Sequence, residues 1–175
     1  MKTRLLALSL TLGLSLVAGS ASAATATGSF DVSATVNGSC VVASASAIAF
    51  GSYDPTATHS TTSLDVDGKV AVRCTAGSAN VRVSLDQGAN ALAESSAVAP
   101  ARSMIDGQGG SIAYGIYKDA ARTQVWGATG AADNVIPTFA SSLVPVELTT
   151  YARIPGGQNA AIGTYTDTVG VTVTF

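Results

Sequence analysis

The stretch Tyr165-Thr166-Asp167-Thr168-Val169-Gly170-Val171-Thr172-Val173-Thr174-Phe175 alternates with a period of two. Tyr165, Val169, Val171, Val173 and Phe175 share one side. Thr166, Thr168, Thr172 and Thr174 share the other, and Asp167 interrupts the apolar side near its start. Side chains of an extended chain point alternately to opposite faces, so this is a strand with one face toward a core.

The same pattern recurs upstream. Val144, Val146 and Leu148 alternate ahead of residues 149–154, and Pro155-Gly156-Gly157 breaks the run. Residues 112–117 and 124–126 read as strands, with a turn or a single helical turn over 119–121. Val81, Val83 and Leu85 alternate with Arg82 and Ser84; Val70, Val72 and Cys74 alternate with Ala71 and Arg73. Residues 40–43 and 48–53 are two more short strands. Residues 86–110, rich in Gly, Ala and Ser, read mainly as loop, and 54–68 as a polar loop. Asp65, Asp67 and Gly68 in the latter resemble a fragment of a calcium loop, but the later acidic ligands are missing, and a turn is the simpler reading. Many short strands between turn signals, with no long helical period, predict an all-β sandwich.

Composition agrees. Charged residues make up 11% of the chain and the net charge is −2, so nothing suggests a nucleic-acid partner. At the N-terminus Lys2 and Arg4 precede an apolar run over 5–17, and Ala21-Ser22-Ala23 is a small-residue cleavage pattern. Residues 1–23 are therefore expected to be a secretory signal peptide, which places the protein in the periplasm and beyond. Cys40 and Cys74 are the only cysteines. In an oxidising compartment a disulfide is the expected state, stabilising the fold by roughly 4 kcal/mol on a chain-entropy estimate. Two thiols and the single His59 do not complete a tetrahedral zinc shell.

Phe30, Val32, Ala34 and Val36 alternate with Asp31, Ser33 and Thr35, a strand pattern closed by Asn37-Gly38 as a turn. Periodicity alone fits two roles equally: the first strand of this domain's own sandwich, or an extended segment that fits elsewhere.

Three motifs carry a family resemblance. Residues 114–127, Tyr-Gly-Ile-Tyr-Lys-Asp-Ala-Ala-Arg-Thr-Gln-Val-Trp-Gly, with Arg102-Ser103-Met104 upstream, resemble the central motif of the spore coat protein U domain family. Tyr151-Ala152-Arg153-Ile154-Pro155-Gly156-Gly157-Gln158 is similar to that family's Tyr-Gly-Arg-Ile-Pro stretch, with Ala152 where Gly is usual. Gly163-Thr164-Tyr165-Thr166-Asp167-Thr168 and the Val/Thr ladder resemble its C-terminus. The likeness covers essentially the whole chain after the signal peptide, the placement of Cys40 and Cys74 included.

The family includes subunits of archaic chaperone–usher pili similar to Csu-type pilins. The resemblance thus implies an incomplete immunoglobulin-like β-sandwich over residues 38–175, completed by an N-terminal donor strand within 24–37. Phe30, Val32, Ala34 and Val36 would be the donor side chains. Val169, Val171, Val173 and Phe175 would be the strand that borders the groove and meets a chaperone. The implied partners are homologous pilus subunits through donor-strand exchange, a periplasmic chaperone and an outer-membrane usher, and the implied location is a surface fibre serving adhesion and biofilm formation.

Two other readings stay open: a monomeric secreted or spore-coat-type surface protein, and a small carbohydrate-binding module using Tyr114, Tyr117 and Trp126. No catalytic pattern, cofactor motif or metal set is expected, and His59 is read as a solvated loop residue.

Overall fold

The computed structural model describes residues 22–175. The expected signal peptide lies outside the described residues except for Ser22 and Ala23. The chain forms two units, one ending at Thr35 and one running from Val36 to Phe175. The described part of the first, residues 22–35, has no regular secondary structure, and all its residues are exposed. The run 30–36 thus departs from the expected strand: among the described residues it has no ladder partner, and an isolated strand has nothing to hold it extended.

The second unit has eight strands: β1 (Cys40–Ala45), β2 (Leu64–Cys74), β3 (Ala79–Leu85), β4 (Arg102–Ile105), β5 (Ser111–Tyr117), β6 (Asn134–Thr138), β7 (Val146–Ile154) and β8 (Val171–Thr174). One short 3-10 turn, Gly130–Ala132, precedes β6. The strands form two antiparallel sheets, β1-β2-β7-β5-β4 and β6-β3-β8. Their inner faces enclose a core of Val70, Val72, Cys74, Val81, Val83, Leu85, Ile112, Tyr114, Ile116, Trp126, Ile136, Phe139, Ala152 and Ile154. The expected sandwich is the observed one.

The differences have local causes. Residues 37–39 do not turn. They run extended beside the end of β2, where Thr75 N donates to Ser39 O at 2.9 Å and Ser39 N donates to Thr75 Oγ1 at 3.1 Å. Residues 48–53 form no strand because β1 peels from β2 at Ser46, whose Oγ accepts the Lys69 N–H at 2.6 Å. Asp65, Asp67 and Gly68 are neither turn nor calcium loop. They lie within β2, paired to Arg153, Tyr151 and Thr150 of β7. The loop 86–110 contains the edge strand β4. Residues 124–126 make only a bridge from Val125 to Tyr117. β6 was not anticipated; it is an edge strand, where Pro137 is tolerated because its missing N–H costs no ladder bond. The terminal strand is shorter than its alternation suggests, since 166–170 pair irregularly with Ile105, Ala89 and Asp86 instead of with one neighbour.

The family-like motifs build this frame. Trp126 is fully buried and its Nε1 donates to Val83 O at 2.9 Å. The Asp119 carboxylate accepts the Thr123 and Gln124 N–H groups at 3.1 and 2.7 Å, which closes the turn after β5. Gln158 pairs both ways with the Ala113 main chain, at 2.7 and 2.8 Å, and so caps β5 where β7 has ended. Ala152 is fully buried in the regular ladder between Val66 and Ile116.

Candidate functional site

β1 and β8 are edge strands of different sheets and approach one another. Each uses one edge, β1 against β2 and β8 against β3, and leaves the other unpaired among the described residues. Edge strands of natural sandwiches are normally kept short, charged or covered. Here the two edges carry Val41, Val42, Val171, Val173 and Phe175, all partly or largely exposed. Val42 lies opposite buried Val72, so it looks into the sandwich; Val41 lies opposite exposed Arg73 and looks out.

Residues 48–53 on one side and 160–165 on the other border a cavity of about 820 Å³. Ile48, Phe50, Met104, Ile112, Ile154 and Tyr165 supply its apolar lining, and Ile162 stands fully exposed at its rim. Phe50 meets Tyr114 edge-on at 6.1 Å, so the lining is continuous with the core.

Polar contacts fix both rims. On the β8 side Asp86 Oδ1 accepts the Gly170 N–H at 2.9 Å, and Asp167 accepts from Tyr114 Oη at 2.7 Å and from Asn90 N and Nδ2 at 3.1 and 3.0 Å. Burial, reinforced by the Asp167 carboxylate, pushes the Tyr114 phenol far above its ordinary range, so it stays a hydrogen-bond donor. Arg102 is wholly buried beneath and donates to the carbonyls of Asp86 (2.9 Å from Nε) and Trp126 (2.9 Å). On the other side Tyr53 Oη donates to Pro155 O at 3.0 Å and accepts the Gln158 N–H at 3.1 Å.

Phe30, Val32 and Val36 are 87%, 84% and 81% exposed, and Ala34 is exposed too. Of the residues assigned to the last strand, Val169, Val171 and Val173 are half-buried against the core and Phe175 is exposed. Cys40 and Cys74 form a disulfide between β1 and β2, at the end where residues 37–39 leave the sheet. Sequence reading did not single out Val42, Ile48, Phe50 or Met104 as part of an opening. Their spacing fits ordinary core strands, and only the peeling of β1 at Ser46 separates the two roles.

The arrangement suits association, and among the described residues no side-chain set for bond chemistry emerges. His59 is 8% exposed and not solvated as expected: its ring stacks on Tyr53 at 5.0 Å and its Nδ1 accepts the Asp54 N–H at 2.9 Å. Trp126 and Tyr114 lie in the core and offer no surface platform for a sugar. Among the described residues, no group of three or more His, Cys, Asp or Glu is placed to hold a metal.

Comparison with known proteins fits this geometry. The chain is 37% identical over 158 residues to Protein U of Myxococcus xanthus, covering 87% of this chain and 86% of that protein. Among solved structures it matches, with a TM-score of 0.54 and 21% identity, a chain in the CsuC–CsuE chaperone–tip adhesion subunit pre-assembly complex from archaic chaperone–usher Csu pili of Acinetobacter baumannii. That match covers 81% of this chain but only 40% of the other, and it shows a shared immunoglobulin-like β-sandwich. The model of the Spore Coat Protein U domain matches residues 26–172, and the chain therefore belongs to that family.

Proposed function

We propose that this protein is a structural subunit of a secreted chaperone–usher fibre, assembled by donor-strand exchange. The carrying observation is the open groove between β1 and β8, two facing edges with no third strand between them among the described residues and with Val42, Val171 and Val173 along them. An extended segment with apolar residues at every second position repairs both defects, filling the groove and completing the ladder. Residues 24–37 are such a segment: exposed, without strand partners and alternating through Phe30, Val32, Ala34 and Val36. Each larger side chain buried contributes roughly 1.5–3 kcal/mol, and Ala34 less, so a joint of four contacts plus ladder bonds is long-lived.

On this reading residues 1–23 direct export and are removed, a periplasmic chaperone covers the groove through Val169, Val171, Val173 and Phe175, and an outer-membrane usher passes subunits to the surface. Homologous subunits are the final partners, and the fibre supports adhesion and biofilm formation. The role is structural, with no reaction assigned. The test compares the mature protein with a form lacking residues 24–36 on an unboiled denaturing gel. A ladder from the first and none from the second is expected. A full-length protein that stays monomeric without a chaperone contradicts the proposal.

A further inference from the structure

Asn37-Gly38 makes no turn: residues 37–39 run extended, and neither Asn37 nor Gly38 has positive φ. The pair still carries chemistry. The peptide nitrogen that follows an asparagine can close a five-membered ring on the side-chain carbonyl carbon. Glycine favours the closure, because it has no Cβ and leaves the main chain free to rotate. Both residues are exposed, and a Cβ at Gly38 would meet nothing within 4 Å. Among the described residues no acceptor faces the Gly38 N–H and no partner holds the Asn37 side-chain amide. We infer that Asn37 is a self-modification site, where the chain deamidates to aspartate and isoaspartate at a rate set by the Thr75 hydroxyl.

The Gly38 nitrogen gives its proton to water and attacks Cγ of Asn37. The bond from Cγ to the side-chain nitrogen breaks, ammonia leaves, and a succinimide forms. Water opens this ring at Cγ to give aspartate, or at the main-chain carbonyl carbon to give isoaspartate. The sum is amide plus water to acid plus ammonia, with no other reactant. The other asparagines are guarded. Asn80 and Asn134 precede β-branched Val81 and Val135, whose nitrogens lie in strands. Asn90 precedes Ala91 and its amide donates to Asp167 at 3.0 Å, and Asn159 precedes Ala160. Asp67-Gly68 and Asp106-Gly107 offer the same neighbour, but their carboxylates are engaged, by Arg122 at 2.6 Å and by the Gln108 and Gly110 N–H groups at 2.8 and 2.9 Å, and an ionised carboxylate resists attack. Ring closure rotates the Asn37 carbonyl out of its extended position. Thr75 Oγ1 donates to that carbonyl at 3.3 Å and accepts the Ser39 N–H at 3.1 Å, so it clasps the pair from both sides and opposes the rotation. The product carries a new negative charge and, as isoaspartate, one more main-chain atom between the exposed run 30–36 and Cys40.

The test follows the folded mature protein over days at mildly alkaline pH, by peptide mass spectrometry after reduction, with Asn37→Asp marking where the aspartate peptide elutes. The wild type is expected to gain aspartate and isoaspartate at position 37 ahead of every other asparagine, and Gly38→Ala to slow this severalfold. Thr75→Val is expected to raise the rate roughly fivefold, the factor that one net hydrogen bond represents. In urea, where the clasp is gone, wild type and Thr75→Val should react alike. An unmodified Asn37, or modification no faster there than at Asn80, Asn90, Asn134 and Asn159, overturns the inference. An unchanged rate in folded Thr75→Val overturns the role of the hydroxyl. Should that variant fail to fold, the wild type alone decides: it should react faster in urea than folded, and equal rates overturn the same point. The readout is mass and elution, not a ladder, so the outcome stands apart from the donor-segment reading.

Discussion

Arg102 carries a guanidinium into the core, with donor bonds to main-chain carbonyls of Leu85, Asp86 and Trp126 and one nitrogen, Nη1, left without a partner. Burial draws its affinity for the proton below the ordinary arginine range, but it stays charged. Its removal strands the buried carbonyls of Leu85 and Trp126 and frees that of Asp86, so Arg102→Met is expected to cost about 3 kcal/mol. The single Trp126, buried next to it, reports unfolding by fluorescence. By contrast the Lys69–Glu147 pair is exposed on both sides, and Lys69→Met is expected to change stability by less than about 0.5 kcal/mol in the same titration. Acid acts through the aspartates. The Arg153 guanidinium holds the Asp65 carboxyl below its ordinary 3.8, and hydrogen bonds from Thr56, Gln108 and Gln124 do the same for Asp54, Asp106 and Asp119. The unfolded chain takes up protons first as pH falls, so this stability is full above the ordinary carboxylate range and is lost as pH drops through the folded-state values below 3.8. Asp65→Asn is expected to flatten the fall of the urea midpoint with acid; an unchanged slope contradicts the Arg153 pairing.

At the level of elements, β1 divides its two faces sharply. Val42 looks into the groove and Val41 away from it, although their exposures, 41% and 46%, are nearly equal. Val42→Asp places a charge where an incoming strand must pack and is expected to abolish the gel ladder, whereas Val41→Asp leaves it intact. Equal behaviour of the two variants means that the groove is not on that face. The disulfide ties β1 to β2 at the exit of the N-terminal segment, and Cys40→Ala with Cys74→Ala is expected to cost roughly 4 kcal/mol in denaturant. β2 also shows where sequence patterns mislead. Leu64, Val66, Gly68 and Val70 continue the alternation of the strand, but Asp65, Asp67 and Gly68 look like turn residues when read alone. Gly68 sits mid-strand because a Cβ there meets Thr150 Oγ1 at 2.7 Å and Ile48 at 3.1 Å. The aspartates are outward partners of Arg153 and Arg122, at 2.7 and 2.6 Å. A close approach from β7 and two ion pairs across 55 and 88 residues leave no trace in the local sequence.

For the molecule as a whole, the strand alternations in 70–74, 81–85, 112–117 and 146–154 were enough for the sandwich, because in each a half-buried sheet imposes its own period. The groove was less legible. Whether an alternating run finishes its own sheet or another's depends on which edges remain unpaired, and that follows from the order of strands in the sheets, a property of no single segment. The measurement that bears most directly on the missing strand uses two complementary variants. A form lacking residues 24–36 accepts a segment but has none to give; Val173→Asp keeps the segment but blocks its own groove. Each alone should elute as a monomer in size-exclusion chromatography with light scattering, and an equimolar mixture should give a heterodimer and nothing longer. No dimer in the mixture, or polymer from either variant alone, contradicts an incomplete fold that a neighbour's segment completes.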